Sequence, residues 1–195
     1  MARFFTADPH FGLNDFMGII DRDSRPFKKP TTMNKKIIKL WNSQAKKDDT
    51  IYVLGDFINY NKFDHSSYEI CLKLVQKIKA KVILILGNNE ERLIIDKFDA
   101  DFNKFREHLL KIGFFDVIKD GLELEICGTR YYLNHYPAKA KKDMLNLFGH
   151  VHSCCQIKKY GLNVGVDCHY FKLLSEADVK MFEDRRQCFD ENVYD

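Results

Sequence analysis

The sequence has few residues that break a chain and none of the patterns that staple one. It holds 4 Pro, 10 Gly and a single Trp, which excludes collagen-like and low-complexity architectures. Long hydrophobic runs are missing too. The longest aliphatic stretch is Val82 to Leu86, far short of the roughly 20 apolar residues that a membrane-spanning helix needs. The opening Met1-Ala2-Arg3-Phe4 lacks the form of a secretory signal, so a soluble, cytoplasmic protein with no membrane partner is expected. Six cysteines (Cys71, Cys127, Cys154, Cys155, Cys168 and Cys188) contain no C-x-x-C pair and read as free thiols rather than a disulfide framework. No charge of one sign dominates: 31 Lys+Arg against 28 Asp+Glu leave a net charge of +3. That field is too weak for a protein whose main task is coating nucleic acid.

What is present points to one folded unit. At 195 residues and 45% hydrophobic, the chain can bury a sizeable core, and a single domain spanning 1–195 is expected. Short β-rich apolar runs alternate with segments of helical period, which is α/β patterning. Arg3 to Ala7, Thr50 to Leu54 and Lys81 to Leu86 read as strands, the last so continuously aliphatic that both of its faces should be covered. Thr31 or Thr32 can cap a helix with Met33, Ile37, Ile38, Trp41 and Ala45 on one face. Ser66 can cap another that buries Ile70, Cys71, Leu74, Val75 and Ile78, and Phe102, Phe105, Leu109 and Ile112 mark a third. Beyond Gly113 the texture becomes strand-rich as far as Val166. Leu122 to Ile126 and Arg130 to Asn134 form a hairpin across Cys127-Gly128-Thr129. Ser175-Glu176-Ala177-Asp178 opens a final helix, and the acidic tail Asp190 to Asp195 is expected to fray.

The chemistry lies just after the strands. Asp8-Pro9-His10, Gly55-Asp56, Gly87-Asn88, His135 and Gly149-His150-Val151-His152 each follow a predicted strand, and in an open α/β sheet such loops converge on one rim. Imidazole nitrogens with carboxylate and amide oxygens suit Mn, Fe, Ni, Co or Zn rather than soft ions. Seven donors exceed the four of a single structural zinc, so the set is better spent on two ions, with a carboxylate, Asp56, bridging them. Glycine before the donors at 55, 87 and 149 permits close backbone approach.

This ordered series, spanning residues 8 to 152, resembles the calcineurin-like metallophosphoesterases. His10-Phe11-Gly12, Arg25-Pro26-Phe27, Trp41-Asn42 and Asn163 to Asp167 are similar to a branch of small bacterial and phage enzymes. The resemblance implies a four-layer α/β/β/α sandwich of two mixed sheets flanked by helices. Asp8, His10 and His152 would hold one ion, Asn88, His135 and His150 the other, and Asp56 both. The ions would be two divalent metals, manganese first, with Ni, Fe, Zn, Mg or Co as alternatives. The implied reaction is hydrolysis of a phosphate ester by a metal-bridging hydroxide.

One residue departs from the family pattern. The third block usually reads Gly-Asn-His, and here Asn89 stands where that His would aid the transition state or protonate the leaving oxygen. Asn89 cannot supply a proton, although its amide can donate to a phosphate oxygen. The expectation is a phosphodiester or nucleotide-type substrate, nucleic acid included, unless His65, His169, Tyr136 or Arg92 takes over the acid role. Two other readings stand beside it: a phosphomonoesterase acting on a nucleotide or phosphoprotein, and a metal-binding, non-catalytic scaffold for protein partners. Arg25, Lys139 and His169 are candidate substrate contacts, and Glu90 is a candidate partner behind a ligand. With little chain left for a specificity domain, selectivity is expected from the loops around 11–30, 57–66 and 136–143.

Overall fold

The computed structural model describes residues 1–12, 25–61 and 67–186. Along the chain run β1 (Arg3–Thr6), α1 (Pro30–Gln44), β2 (Thr50–Leu54), α2 (Ser67–Leu72) continued by a 3-10 turn (Lys73–Lys77), β3 (Lys81–Ile85), α3 (Asn88–Lys97), α4 (Phe102–Ile112), β4 (Asp116–Ile118), β5 (Leu122–Ile126), β6 (Thr129–Leu133), β7 (Leu145–Phe148), β8 (Ile157–Lys158), β9 (Gly161–Asn163), β10 (Leu174–Ser175) and α5 (Glu176–Arg186). They form two five-stranded mixed sheets, ordered β10-β1-β2-β3-β4 and β5-β6-β7-β9-β8, flanked by helices. This is the expected α/β sandwich.

Side-chain alternation explains how the sheets stack. Successive strand residues point to opposite faces, so Phe4, Ile51, Val53, Val82, Leu84 and Leu86 face a core closed by Met33, Ile37 and Trp41 of α1 and by Leu93, Phe105 and Leu109 of α3 and α4. Their neighbours Phe5, Tyr52, Leu54 and Ile85 face a second core shared with Ile126, Tyr131, Leu133, Leu147 and Leu162 of the other sheet. Both faces of β3 are thus covered, as its aliphatic run predicts. α5 adds Val179 and Phe182 to the inter-sheet core, while Glu123, Glu125 and Arg130 face outward and are exposed.

Several local expectations need correction. α1 starts at Pro30, with Lys29 in the capping position and no side-chain cap. Proline's fixed φ and missing N–H suit the first helical residue, so Thr31 and Thr32 fall inside the first turn. Ile70 is 65% exposed, whereas Cys71, Leu74, Val75 and Ile78 are buried as expected, and Leu72 joins them; with the switch to a 3-10 turn the period becomes three residues, so Leu72, Val75 and Ile78 share a face. α3 and β10 were not anticipated at all. Elsewhere strand ends shift by a residue or two, and the β5–β6 hairpin pairs as expected, Ile126 opposite Thr129. At the last helix Ser175 Oγ accepts from the Asp178 N–H at 3.2 Å while Asp178 Oδ2 accepts from the Ser175 N–H at 2.8 Å, a reciprocal cap. No two of the five described cysteines are bonded to each other. Ser66, His65, Cys188 and the acidic tail lie outside the described residues.

This topology positions the site. β1 to β4 are parallel, as are β6, β7 and β9. The carboxyl ends of β1, β2, β3, β6 and β7 therefore open on one rim. The loops after β1 and β2 also pair with each other: the Asp8 N–H donates to the Gly55 carbonyl at 3.1 Å, His10 to Asp56 at 3.0 Å and Phe11 to Phe57 at 2.9 Å.

Candidate metal centre

The sharp turns at the strand ends are made by the donor residues themselves. Asp8, His10, Asp56, His150 and His152 all have positive φ, between 46° and 72°, a region that Asp and His enter more readily than most residues but that still costs energy. The folded core compensates for that strain, and the result is convergence. Asp8, His10 and His152 present donor atoms within 4.8 Å of one another, and so do Asp8, Asp56 and His135. Asn88 Oδ1 lies 3.1 Å from His135 Nε2 and 3.0 Å from His150 Nδ1, and those two nitrogens are 3.2 Å apart. Between the two groups sits Asp56, with Oδ2 3.5 Å from His10 Nε2 and Oδ1 3.7 Å from His135 Nε2. All seven residues read from the sequence as candidate metal donors come together at this rim.

Hydrogen bonding fixes which lone pairs face inward. His135 Nδ1 is 2.8 Å from the Leu54 carbonyl. A carbonyl only accepts, so Nδ1 carries the proton and Nε2 offers its lone pair to the cluster. His152 Nδ1 likewise donates to Asp167 Oδ2 at 2.8 Å. Asp167 is gripped from behind by Arg25 through Nε and Nη2, each at 2.9 Å, and Arg25 also donates to the carbonyls of Pro9 and Asp8. The expected substrate contact Arg25 is thus buried, and its guanidinium is spent on holding the loop and His152.

Asn89 is locked in place as well. Its N–H and side-chain Nδ2 donate to Asp56 at 2.9 and 2.6 Å, while its Oδ1 accepts from the Tyr60 N–H at 2.8 Å. One partner only accepts and the other only donates, so the amide has a single orientation, and one amide proton is left over. Glu90 is fully buried and accepts from the N–H groups of Asp56, Phe57 and Gly87 at 2.9 to 3.0 Å. It therefore anchors the Asp56 loop rather than a histidine. Gly87 and Gly149 have no room for a side chain: a Cβ would meet Asp56 Oδ1 at 2.3 Å and Asp8 Oδ2 at 2.4 Å respectively.

Burial dominates the electrostatics. It raises the Asp8 carboxyl to about 8, with His152 pulling the other way, and it raises Asp56. Glu90 is likewise raised to about 8, by burial and then by Asp56. Burial lowers His135 to about 4 and His10 well below its usual value, helped by Arg25. For His152, burial would lower the value, but the Asp167 hydrogen bond and the Asp8 charge win and raise it. The donor set fits divalent cations. Asp8 Oδ1 is buried without a hydrogen-bond donor, a deficit of about 1–3 kcal/mol unless something positive meets it. The facing His135 Nε2, Asn88 Oδ1 and His150 Nδ1 have at most one proton among them.

The remaining expected contacts are not at the cluster. His169 is buried, bonded to the Asn163 carbonyl at 2.7 Å and packed on Phe182. Lys139 is exposed, with Nζ 4.5 Å over the Tyr136 ring. Tyr136 in turn packs edge-on against His135 and His150 and donates to Glu91. In front of the cluster opens a cleft of about 730 Å³ whose walls include Asn59, Tyr60, Asn61, Asn88, Asn89 and Arg92. Of the loops expected to set selectivity, only 59–61 is seen there; residues 13–24 and 62–66 lie outside the described residues. The sequence reading names Asn88, Asn89, Glu90 and Arg92 but not the helix that carries them, and it quotes Asp167 without its role behind His152. The signal for α3 was available, in Glu90 and Glu91 in a first turn and Lys97 in a last, a charge order that suits a helix dipole.

Comparison with known proteins agrees with this geometry. The chain belongs to the calcineurin-like phosphoesterase family, whose model matches residues 3–186, a family of metal-dependent hydrolases of phosphoesters. It is 29% identical over 99 residues to an uncharacterised protein of Methanocaldococcus jannaschii, covering 51% of this chain and 49% of that one; the match spans about half of that relative. The fold is shared with a protein of unknown function from Aquifex aeolicus, at a TM-score of 0.66 and 22% identity over 93% of this chain and 98% of that one. A looser likeness, with a TM-score of 0.49 and 18% identity over 85% and 82% of the two chains, is to an archaeal phosphodiesterase. Among the described residues no helix is long and apolar enough to cross a membrane.

Proposed function

We propose that this protein is a phosphodiesterase that holds two divalent ions, manganese being the first choice, through Asp8, His10 and His152 on one side and Asn88, His135 and His150 on the other, with Asp56 shared. The observation that carries this reading is the place of Asp56, whose two oxygens point one toward each group of donors. Bound there, two divalent ions would neutralise phosphoryl charge and activate water as the nucleophile. The chain's own part is to keep the donors fixed. Leu54 and Asp167 set the tautomers of His135 and His152, Glu90 pins the Asp56 loop, and Asn89 aligns the Asp56 carboxylate with one amide proton left that could serve a substrate oxygen.

Preference for diesters over monoesters is supported by the same wall. Asn89 offers a hydrogen bond but no proton to a leaving oxygen, and among the described residues the cleft lining contributes one arginine, Arg92. A nucleotide or nucleic-acid strand is therefore the favoured substrate class. The test is turnover of bis(p-nitrophenyl) phosphate and of p-nitrophenyl phosphate by manganese- and nickel-loaded protein, with metal analysis in parallel. Two ions per chain and a clear diester preference are expected, with Asn89→His raising monoester turnover. Two bound ions without hydrolysis of either ester would sink the enzyme reading, and a monoester preference unchanged by Asn89→His would sink the diester one.

A further inference from the structure

The cleft continues past the donor cluster, and its far part is built by α3. A helix turns once every 3.6 residues, so a chain leaving the cluster at Asn88 brings Arg92, Ile95 and Asp96 back to the same side. All three line the cleft, opposite Asn59, Tyr60 and Asn61. Arg92 is exposed and has no hydrogen-bond or ion-pair partner among the described residues. That is unexpected, because acids are close by in sequence. Asp96, four residues on and the usual helical partner, has Oδ2 3.2 Å from the Tyr60 hydroxyl. Glu91 accepts from the Tyr136 hydroxyl at 2.6 Å. The Tyr60 hydroxyl thus engages the one carboxylate at helical ion-pair spacing from Arg92, and the guanidinium lines the cleft without an ion-pair partner among the described residues. Beside it Ile95 is 65% exposed, an apolar ledge next to a cation.

Resting on the phosphodiesterase reading above, we propose that Arg92 is a specificity residue that receives a second phosphate of the substrate, the one next to the scissile diester along a nucleic-acid strand. The planar guanidinium fork matches phosphate oxygens, and it can grip them in pairs as a lysine cannot. Four helical residues carry Arg92 about 6 Å along the axis from Asn88, and the long side chain extends that reach, so one group can sit at the cluster while another meets the arginine. Ile95 then underlies the sugar or base between the two phosphates.

The test compares the dinucleotide TpT, which has only its diester phosphate, with pTpT and TpTp, which carry a second one. For the manganese-loaded wild type, kcat/KM on at least one phosphorylated dinucleotide should exceed that on TpT by about tenfold, the scale of one charge-assisted contact in a solvated cleft. Arg92→Gln should bring that ratio close to one, and Arg92→Lys should keep part of it. A ratio near one in the wild type, or a preference that survives Arg92→Gln, overturns the proposal. A binding measurement separates it from the enzyme reading. In calorimetric titration of the manganese-loaded protein, thymidine 3′,5′-bisphosphate should bind about tenfold more tightly than thymidine 5′-monophosphate, and Arg92→Gln should abolish the difference. Equal affinities in the wild type overturn the role of Arg92 whether or not any ester is turned over, whereas unequal affinities without turnover count against the phosphodiesterase reading alone.

Discussion

The two sides of the donor cluster are made from different materials. Around Asp8, His10 and His152 the supports are ionic and buried: Asp8 is fully buried, and a chain of charge runs from His152 through Asp167 to Arg25. Around Asn88, His135 and His150 the rings are supported by neutral groups, a backbone carbonyl and the Tyr136 ring, the Asp8 carboxylate accepting there only from the His150 N–H, and His150 reaches the surface. Buried ion pairs are costly to desolvate and hold their geometry tightly once satisfied. Neutral donors at an edge give up water and ions more easily. The first side should therefore retain its ion more firmly, while the second faces substrate and exchanges.

The largest change should come from removing what the two sides share. Asp56→Asn is expected to cost about a thousandfold or more in diester hydrolysis, since the metal-ion contribution is several kcal/mol at 1.36 kcal/mol per tenfold. Elemental analysis should fall from two ions to at most one. Two ions held at near wild-type turnover would break the picture of a common carboxylate.

Next in size is the ionic support. Asp167→Ala strands the buried Arg25 charge and should destabilise the fold by about 3–5 kcal/mol, read by denaturant unfolding, and weaken ion retention by about 10- to 100-fold. A loss below 1 kcal/mol would mean that the two sides are supported alike. Gly149→Ala forces a Cβ against Asp8 Oδ2 and Ala7 and should cost about 1–3 kcal/mol as overpacking, seen in the melting temperature.

Acidity offers a gentler probe. The Asp8 carboxyl sits at about 8 against a usual 3.8, so the folded, metal-free protein holds a proton there that the unfolded chain has lost, and stability falls as pH rises toward 8. His10 and His135 are lowered by burial and act oppositely, but only below their usual 6.5, where the unfolded chain takes up protons. From pH 6.5 to 8 the chelated protein should therefore lose at most about 2 kcal/mol per such carboxyl. Asp8→Asn should reduce that slope, with Glu90 and the raised His152 keeping the rest, and a chelated wild type whose stability rises over this window would contradict it. The smallest effect is expected on the neutral side, where Tyr136→Phe removes one hydrogen bond to Glu91 and should shift stability by about 1 kcal/mol or less.

That the seven candidate donors would meet was legible in the sequence because each follows a strand whose composition is plain, and strand ends of a parallel sheet share a rim. Polarity alone could not tell Arg25, His169 and Arg92 apart. All three are cationic or ionisable residues outside the donor motifs, yet the fold buries the first against Asp167, seals the second under Phe182 and leaves the third in the cleft. Which side chains are consumed by neighbours depends on contacts between positions 142 residues apart in the chain, such as Arg25 with Asp167, and no local pattern encodes those.

The alternation of short β-rich runs with segments of helical period determined an α/β chain, and the ordered Asp, His and Asn after its strands determined a candidate metal-donor set, since both follow from local chemistry and periodicity. Only the tertiary structure decided that Asp56 lies between two groups of donors, that one group is braced by buried charge and the other by neutral contacts, and that α3 walls the cleft. Those outcomes rest on side-chain packing and desolvation across distant segments, which become defined only when the two sheets close on their common core.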